Sequence, residues 1–172
     1  MIPQPILDPR SVDFSQLVAD REALRRANPQ RFEMEQVDGV VLMDPVQHVV
    51  VGYKEVRPDE FWCKGHMPDF PLLPGVLLCE AAAQLVSYYI VQIGVLKGDF
   101  IGFGGMEEVR FRGVVRPGDR LVLMGKGIRV DRRQSRFLCQ AFVGSTMVFH
   151  GIIIGVPLMM PRTAESGSSL PA

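Results

Sequence analysis

Cysteine is scarce in this sequence, and the little there is forms no motif. Cys63, Cys79 and Cys139 make no CxxC pair and sit in apolar or strand-like surroundings. An odd count without metal spacing predicts free thiols in a reducing compartment. Net charge is also absent, since 19 acidic side chains balance 19 basic ones. That balance gives no global reason to bind nucleic acid or an anionic membrane surface. No HExxH or comparable spacing occurs, and His48 and His150 are single histidines in strand-like runs. The glycines of Gly102-Phe103-Gly104-Gly105 are too isolated for a phosphate loop and suit strand curvature instead. The first residues, MIPQPILDPRSVDF, lack the basic region and continuous apolar segment of a signal peptide. A cytoplasmic protein is expected. No internal repeat is visible.

The composition is that of one ordinary globular domain, and 172 residues suffice for a real core. The longest apolar stretch, Val76 to Leu96, approaches the length of a membrane span. Glu80 and Gln84 interrupt it in its first half, where a charge is costly, so a buried core helix is expected. Pro74 suits the first turn of that helix and Gly94 its stop. Apolar residues occupy nearly every face, which marks a helix enclosed by other structure. Its polar residues Glu80, Gln84 and Ser87 follow at intervals of four and three, forming one narrow stripe.

Strands are expected on both sides of it. Val40–Met43, Val46–Val56 and a short candidate, Phe61–Cys63, precede the helix. Phe100–Gly104, Glu108–Val115, Arg120–Ile128, Ser135–Val143 and Thr146–Val156 follow, joined by tight turns as an antiparallel meander. The state of Phe32–Val37 is left open by its poor patterning. Residues 1–28 are expected to be an arm, rich in proline to Arg10, and then a surface helix capped by Ser11 and ended by Asn28-Pro29. Residues 29–160 form the domain, and the Ser/Gly-rich residues 161–172 are expected to be disordered. Strands, one long buried helix and more strands make an α+β fold, with the helix held in a curved antiparallel sheet.

Chemistry concentrates in Gly65–Ile93, GHMPDFPLLPGVLLCEAAAQLVSYYIVQI. His66 could be an exposed loop histidine or a general base, and Pro68, Pro71 and Pro74 would hold its imidazole nearly fixed ahead of the helix. Glu80 is a carboxylate in an apolar run, and carboxylates are almost never buried unpaired. It is either a structural group bonded to Gln84 or a subunit interface, or a general acid. Gly75 has two readings: a turn residue that eases the chain into the helix, or the start of a first turn whose N–H groups polarise a carbonyl. A base, an acid and such a helix end suit proton abstraction beside a carbonyl. Cys79 points to another helix face and reads as packing. Arg129, Arg132, Arg133 and Arg136 form a basic hairpin, either a solvated face or a seat for an acidic partner.

These residues resemble the 3-hydroxyacyl-[acyl-carrier-protein] dehydratases of fatty acid synthesis, which have the hot-dog fold. That family's pattern is GHFPxxPxxPGVLxxEAxAQ, and Gly65–Gln84 here reads GHMPDFPLLPGVLLCEAAAQ. Val109–Leu121, VRFRGVVRPGDRL, resembles the later VxFrrpVvPGDxL segment. Similarity extends over residues 29–157. Met67 stands where phenylalanine is usual, and Asn28–Val40 departs further from LPHRYPFLLVDRV. There Gln30, Glu33, Glu35 and Gln36 replace histidine, proline and two leucines.

The resemblance implies dehydration of (3R)-3-hydroxyacyl thioesters to trans-2-enoyl thioesters on acyl carrier protein, without metal or redox cofactor. It implies that His66 handles the C2 proton, Glu80 assists loss of the 3-hydroxyl, and the Gly75 N–H polarises the thioester carbonyl. Val76, Phe70 and Gln84 would complete the substrate site, Gln84 by orienting Glu80 or the dimer contact. It further implies a homodimer, often three together, in which each site takes histidine and glutamate from different subunits. The alternatives are a hot-dog acyl thioesterase and a non-catalytic acyl-carrier-binding subunit.

Overall fold

The computed structural model describes residues 3–95 and 98–160. The segments expected to be strands on either side of the long helix form one antiparallel sheet. Its strands are β1 (Gly39–Asp44), β2 (Val49–Glu55), β3 (Phe100–Phe111), β4 (Arg120–Val130), β5 (Ser135–Val143) and β6 (Thr146–Leu158). They lie in the order β1-β2-β4-β5-β6-β3. Only β4-β5-β6 is a meander; β3 crosses to the far edge and pairs with β6, while β2 pairs with β4. The expectation of a simple meander is corrected accordingly. Expected tail residues 161–172 lie outside the described residues.

Two α-helices accompany the sheet, the short α1 (Arg21–Ala27) and the long α2 (Gly75–Ile93). The boundaries of α2 are those the sequence announces. Pro74 stands just before its first residue, and Gly94 closes it at φ 64, a left-handed conformation that glycine adopts without Cβ strain. By length and composition α2 could cross a membrane; here the sheet encloses it. Leu78, Leu85, Tyr89 and Ile90 are almost fully buried against Leu121, Leu123, Phe137 and Phe149. Gly125 lets β4 come this close, since a Cβ there would lie 2.7 Å from a methyl of Val86.

The valine-rich strands are apolar on both faces because both are covered. Val50 points into the core with α2, while its neighbours Val49 and Val51 join an outer cluster with Val122, Met124 and Phe142. Ile6, Leu7, Val12 and Phe14 of the N-terminal arm pack on that outer face. Gln140 fastens the arm, accepting a hydrogen bond from Ile6 N at 2.8 Å and donating to the Gln4 carbonyl at 2.9 Å.

This arm corrects the expected surface helix. Ser11 ends a short 3₁₀ turn, Pro9–Ser11, and its hydroxyl bonds the Asp8 carbonyl. The chain then crosses the sheet, and Ala19 pairs with Val40. Helix begins only at Arg21, where the Asp20 side chain accepts a hydrogen bond from Ala23 N at 2.8 Å. Two further corrections concern strands. Phe61–Lys64 is a 3₁₀ turn. The two strands expected over 100–115 are one, β3, bent by register shifts at Phe103/Gly105 and Glu107/Arg110. These bulges let one strand stay paired with β6 while it curves around α2.

The three cysteines are free, and burial raises the thiol pKa of each.

Candidate active site

The His66 loop descends from the Phe61–Lys64 turn, whose Trp62 carbonyl accepts the His66 N–H at 2.8 Å. Trp62 itself is buried in the core. The imidazole is held from the other side, with Nδ1 2.8 Å from the Leu72 carbonyl oxygen. A carbonyl can only accept, so Nδ1 carries the proton and the neutral ring keeps its lone pair on Nε2. That nitrogen is the one able to act as base. Met67 follows at φ 64, a conformation that costs a side-chain-bearing residue some strain and turns the chain sharply after the histidine. Leu73 N then bonds the Val115 carbonyl at 2.8 Å, fixing the loop's end to the sheet just ahead of α2.

Among the described residues no side chain caps the N-terminus of α2. Its first-turn N–H groups carry the positive end of the helix dipole. Gly75 makes room there for an aromatic cover, because a Cβ would stand 3.0–3.1 Å from the Phe111 ring. Val76 projects outward and is 68% exposed, while Phe70 lies half exposed under the Arg116 guanidinium, 3.8 Å above its ring.

Glu80 sits in the second turn of α2, beneath this end. Its Oε1 accepts two amide N–H groups, from Gln84 Nε2 at 2.7 Å and Gln30 Nε2 at 3.2 Å. Gln84 is in turn fixed on every side. Its Nε2 also donates to the Met34 carbonyl at 2.6 Å, its Oε1 accepts from Gln36 N at 2.8 Å, and its own carbonyl accepts from Asn28 Nδ2 at 2.9 Å. One oxygen of Glu80 is thus occupied and immobilised by protein. Glu80 also borders a cavity of about 40 Å³, whose other walls include Ala83, Val86, Ile101, Phe103 and Ile153. The pattern is a carboxyl group on an apolar slot with one oxygen clamped.

Of the expected site residues, the structure brings Glu80 and Gln84 together, places Gly75 and Val76 in the first turn of α2, and stacks Phe70 under Arg116 in the loop ahead of it. Among the described residues no hydrogen bond or ion pair links His66 to Glu80. Gln30, Asn28 and Gln36 were missed as site residues, although each is a polar group in a segment without polar periodicity. So was the buried pair of Lys54 and Glu60, 2.8 Å apart; a lone lysine inside VVVGYKEV was its signal. The basic hairpin is partly neutralised, as Arg129 pairs with Asp131 of its own turn and Arg136 with Glu107 of β3.

Residues 28–151 match the FabA-like domain family. The chain belongs to that family. It is 37% identical over 128 residues to the 3-hydroxyacyl-[acyl-carrier-protein] dehydratase FabZ of Lawsonia intracellularis, covering 73% of this chain and 83% of that relative. It is 34% identical over 135 residues to the FabZ dehydratase of Moorella thermoacetica, covering 78% and 94%. Among solved structures, the dehydratase heterocomplex ApeI:P from Xenorhabdus doucetiae aligns with a TM-score of 0.64 at 16% identity, over 81% of this chain and 91% of that one. The virulence protein Cj0977 of Campylobacter jejuni aligns with a TM-score of 0.58 at 15% identity, over 81% and 93%. At such identities the likeness speaks to fold alone. That fold is the hot-dog arrangement, an antiparallel sheet wrapped around one long helix.

Proposed function

We propose that this FabA-like chain is a hydro-lyase that dehydrates (3R)-3-hydroxyacyl thioesters of acyl carrier protein to trans-2-enoyl thioesters. Glu80's setting carries this reading: a carboxyl on an apolar cavity, with Oε1 clamped by two amides. The FabZ relatives, named as dehydratases acting on acyl carrier protein, support the substrate class.

The proposed chemistry uses that geometry as follows. His66 Nε2 removes the C2 proton, because Nδ1 is already committed to Leu72. The electron pair moves toward the thioester oxygen, where the Gly75 N–H and the uncapped helix end meet the developing charge. The C3–O bond then breaks, and Glu80 gives the departing hydroxyl a proton from Oε2, leaving water and a C2=C3 double bond. Afterwards His66 releases to solvent the proton it took and Glu80 takes one up from solvent, which restores both groups for the next turnover. Gln84 orients Glu80, while Val76 and Phe70 border the entrance. No metal or redox cofactor takes part in this scheme.

A homodimer would complete each site, with histidine from one subunit and glutamate from the other; the absence among the described residues of a hydrogen bond or ion pair between His66 and Glu80 within one chain supports that reading. The open edge of β3 supports the same partner. The enzyme would work in the cytoplasm, its thiols reduced.

Crotonyl and 3-hydroxyacyl thioesters incubated with purified protein should interconvert, followed by enoyl absorbance. His66→Ala and Glu80→Gln should each lose about 10²–10⁴-fold in kcat. No wild-type turnover, or equal turnover in all three proteins, would sink the assignment. Release of free thiol would point to a thioesterase.

A further inference from the structure

We propose that Ile101 sets the length of the acyl chain, confining the enzyme to 3-hydroxyacyl thioesters of about four to six carbons. The inference rests on the dehydratase reading and carries it from the reacting carbons to the chain beyond them. With the C3 oxygen at Glu80, C4 and the carbons after it enter the apolar cavity that Glu80 borders. Phe103 stands on its wall about half exposed, whereas Ile153 and Ser87 are buried. The cavity therefore leads from solvent inward. Ser87 marks its depth, lying two turns beyond Glu80 on nearly the same face of α2.

The volume decides how much chain can follow. One water needs about 10–15 Å³ of such space, so about 40 Å³ holds about three groups of water or methylene size. Carbons C4 to C6 fill it. Ile101 of β3 then closes the way. Gly155 of β6 lines the same cavity and has no side chain to keep Ile101 at a distance. A Cβ there would stand 2.8 Å from Ile101 Cγ2 and 2.7 Å from Ser135 Oγ. Ile101 thus lies directly on the β6 backbone, with Ser135 packed beside the same glycine. A longer chain must displace Ile101 or press its end against the Ser87 hydroxyl. Both are unfavourable, because a packed interior resists added methylenes and an alkyl group gives a hydroxyl no hydrogen bond. Ile101→Ala removes three side-chain carbons and opens room for about three more groups.

Rates of enoyl formation from pantetheine thioesters of (3R)-3-hydroxy acids with four, six, eight and ten carbons test the assignment. The two shortest substrates should agree in kcat/KM within about threefold, and the ten-carbon one should fall at least about tenfold below them. Ile101→Ala should raise the ratio of ten- to four-carbon kcat/KM by about tenfold. Both rates come from one preparation, so the ratio does not depend on how much of the variant is folded. Ile101→Val removes one carbon and should fall between the two proteins; it replaces Ile101→Ala should that variant fail to fold. Native turnover of the ten-carbon chain as fast as the shorter ones, or a ratio unmoved in the folded variant, overturns the proposal. In either case the turnover itself leaves the dehydratase reading standing. If no chain is converted, that reading falls and the role of Ile101 with it.

Discussion

Lys54 is a charged residue in the middle of a valine-rich strand, and its side chain is 2% exposed. Its ammonium lies 2.8 Å from a Glu60 oxygen, and that carboxylate is itself 5% exposed. Glu60 directly precedes the Phe61–Lys64 turn, and its carbonyl accepts Cys63 N at 3.0 Å. The pair therefore pins the start of the segment whose far end presents His66. Desolvation makes such pairs weak net contributors, yet losing one partner strands the other charge in the core. Lys54→Met should accordingly cost about 3–5 kcal/mol, read from urea unfolding. The double variant Lys54→Met/Glu60→Leu should recover most of that loss, since a matched apolar pair removes both desolvation penalties. Equal destabilisation in the single and double variants would show that the contact is not the source of the effect.

At the scale of elements, a charge pair ties α1 to the segment that leads into β1. Arg25 grips Glu35 with two bonds, Nε to Oε1 at 2.7 Å and Nη2 to Oε2 at 3.0 Å. The hydrogen bond from Arg25 holds the Glu35 carboxyl below its ordinary value of 4.5, against opposing desolvation. A depressed carboxylate stabilises the folded state fully above its unfolded pKa and loses that contribution as pH falls through the folded one. Glu35→Gln should thus cost about 1 kcal/mol at pH 7, a figure reduced by the exposure of Arg25, and progressively less below pH 4.5. Urea midpoints at pH 7 and pH 3 would reveal it, and parallel losses at both would refute it. The same segment shows where sequence stops being informative. Helix α2 was legible from end to end, because Pro74, Gly94 and the Glu80-Gln84-Ser87 stripe are local signals. The polar cluster was not, because Asn28, Gln30 and Gln36 find partners 48 to 56 residues away. The arm failed for a related reason. Val12 and Phe14 suit a helix face as well as a strap, and the choice is made by an outer sheet face built from β1, β2, β4 and β5. Of the candidate site, the motif residues stood out, while the side chain clamping Glu80 beside Gln84 did not.

The whole molecule has two sheet edges, and they are treated differently. At β1, Val40 is bridged by Ala19. At β3, a strand of 12 residues ends the sheet with Phe103, Met106 and Phe111 about half exposed. A long apolar edge is a template for pairing with another chain, and Phe111 lies directly over Gly75. A second copy docked there would meet the helix end where the thioester carbonyl is expected to sit. Sharing of the site between subunits has a quantitative signature. His66→Ala and Glu80→Gln homodimers each lack one member of both sites and should be almost inactive. Refolded together in equal amounts, half of the dimers become mixed. A mixed dimer then carries one intact site, with histidine from the Glu80→Gln chain and glutamate from the His66→Ala chain, and one site lacking both. The mixture should regain about a quarter of wild-type activity. Were each site built within a single chain, every site in the mixed dimer would still lack a residue, and co-refolding would restore nothing.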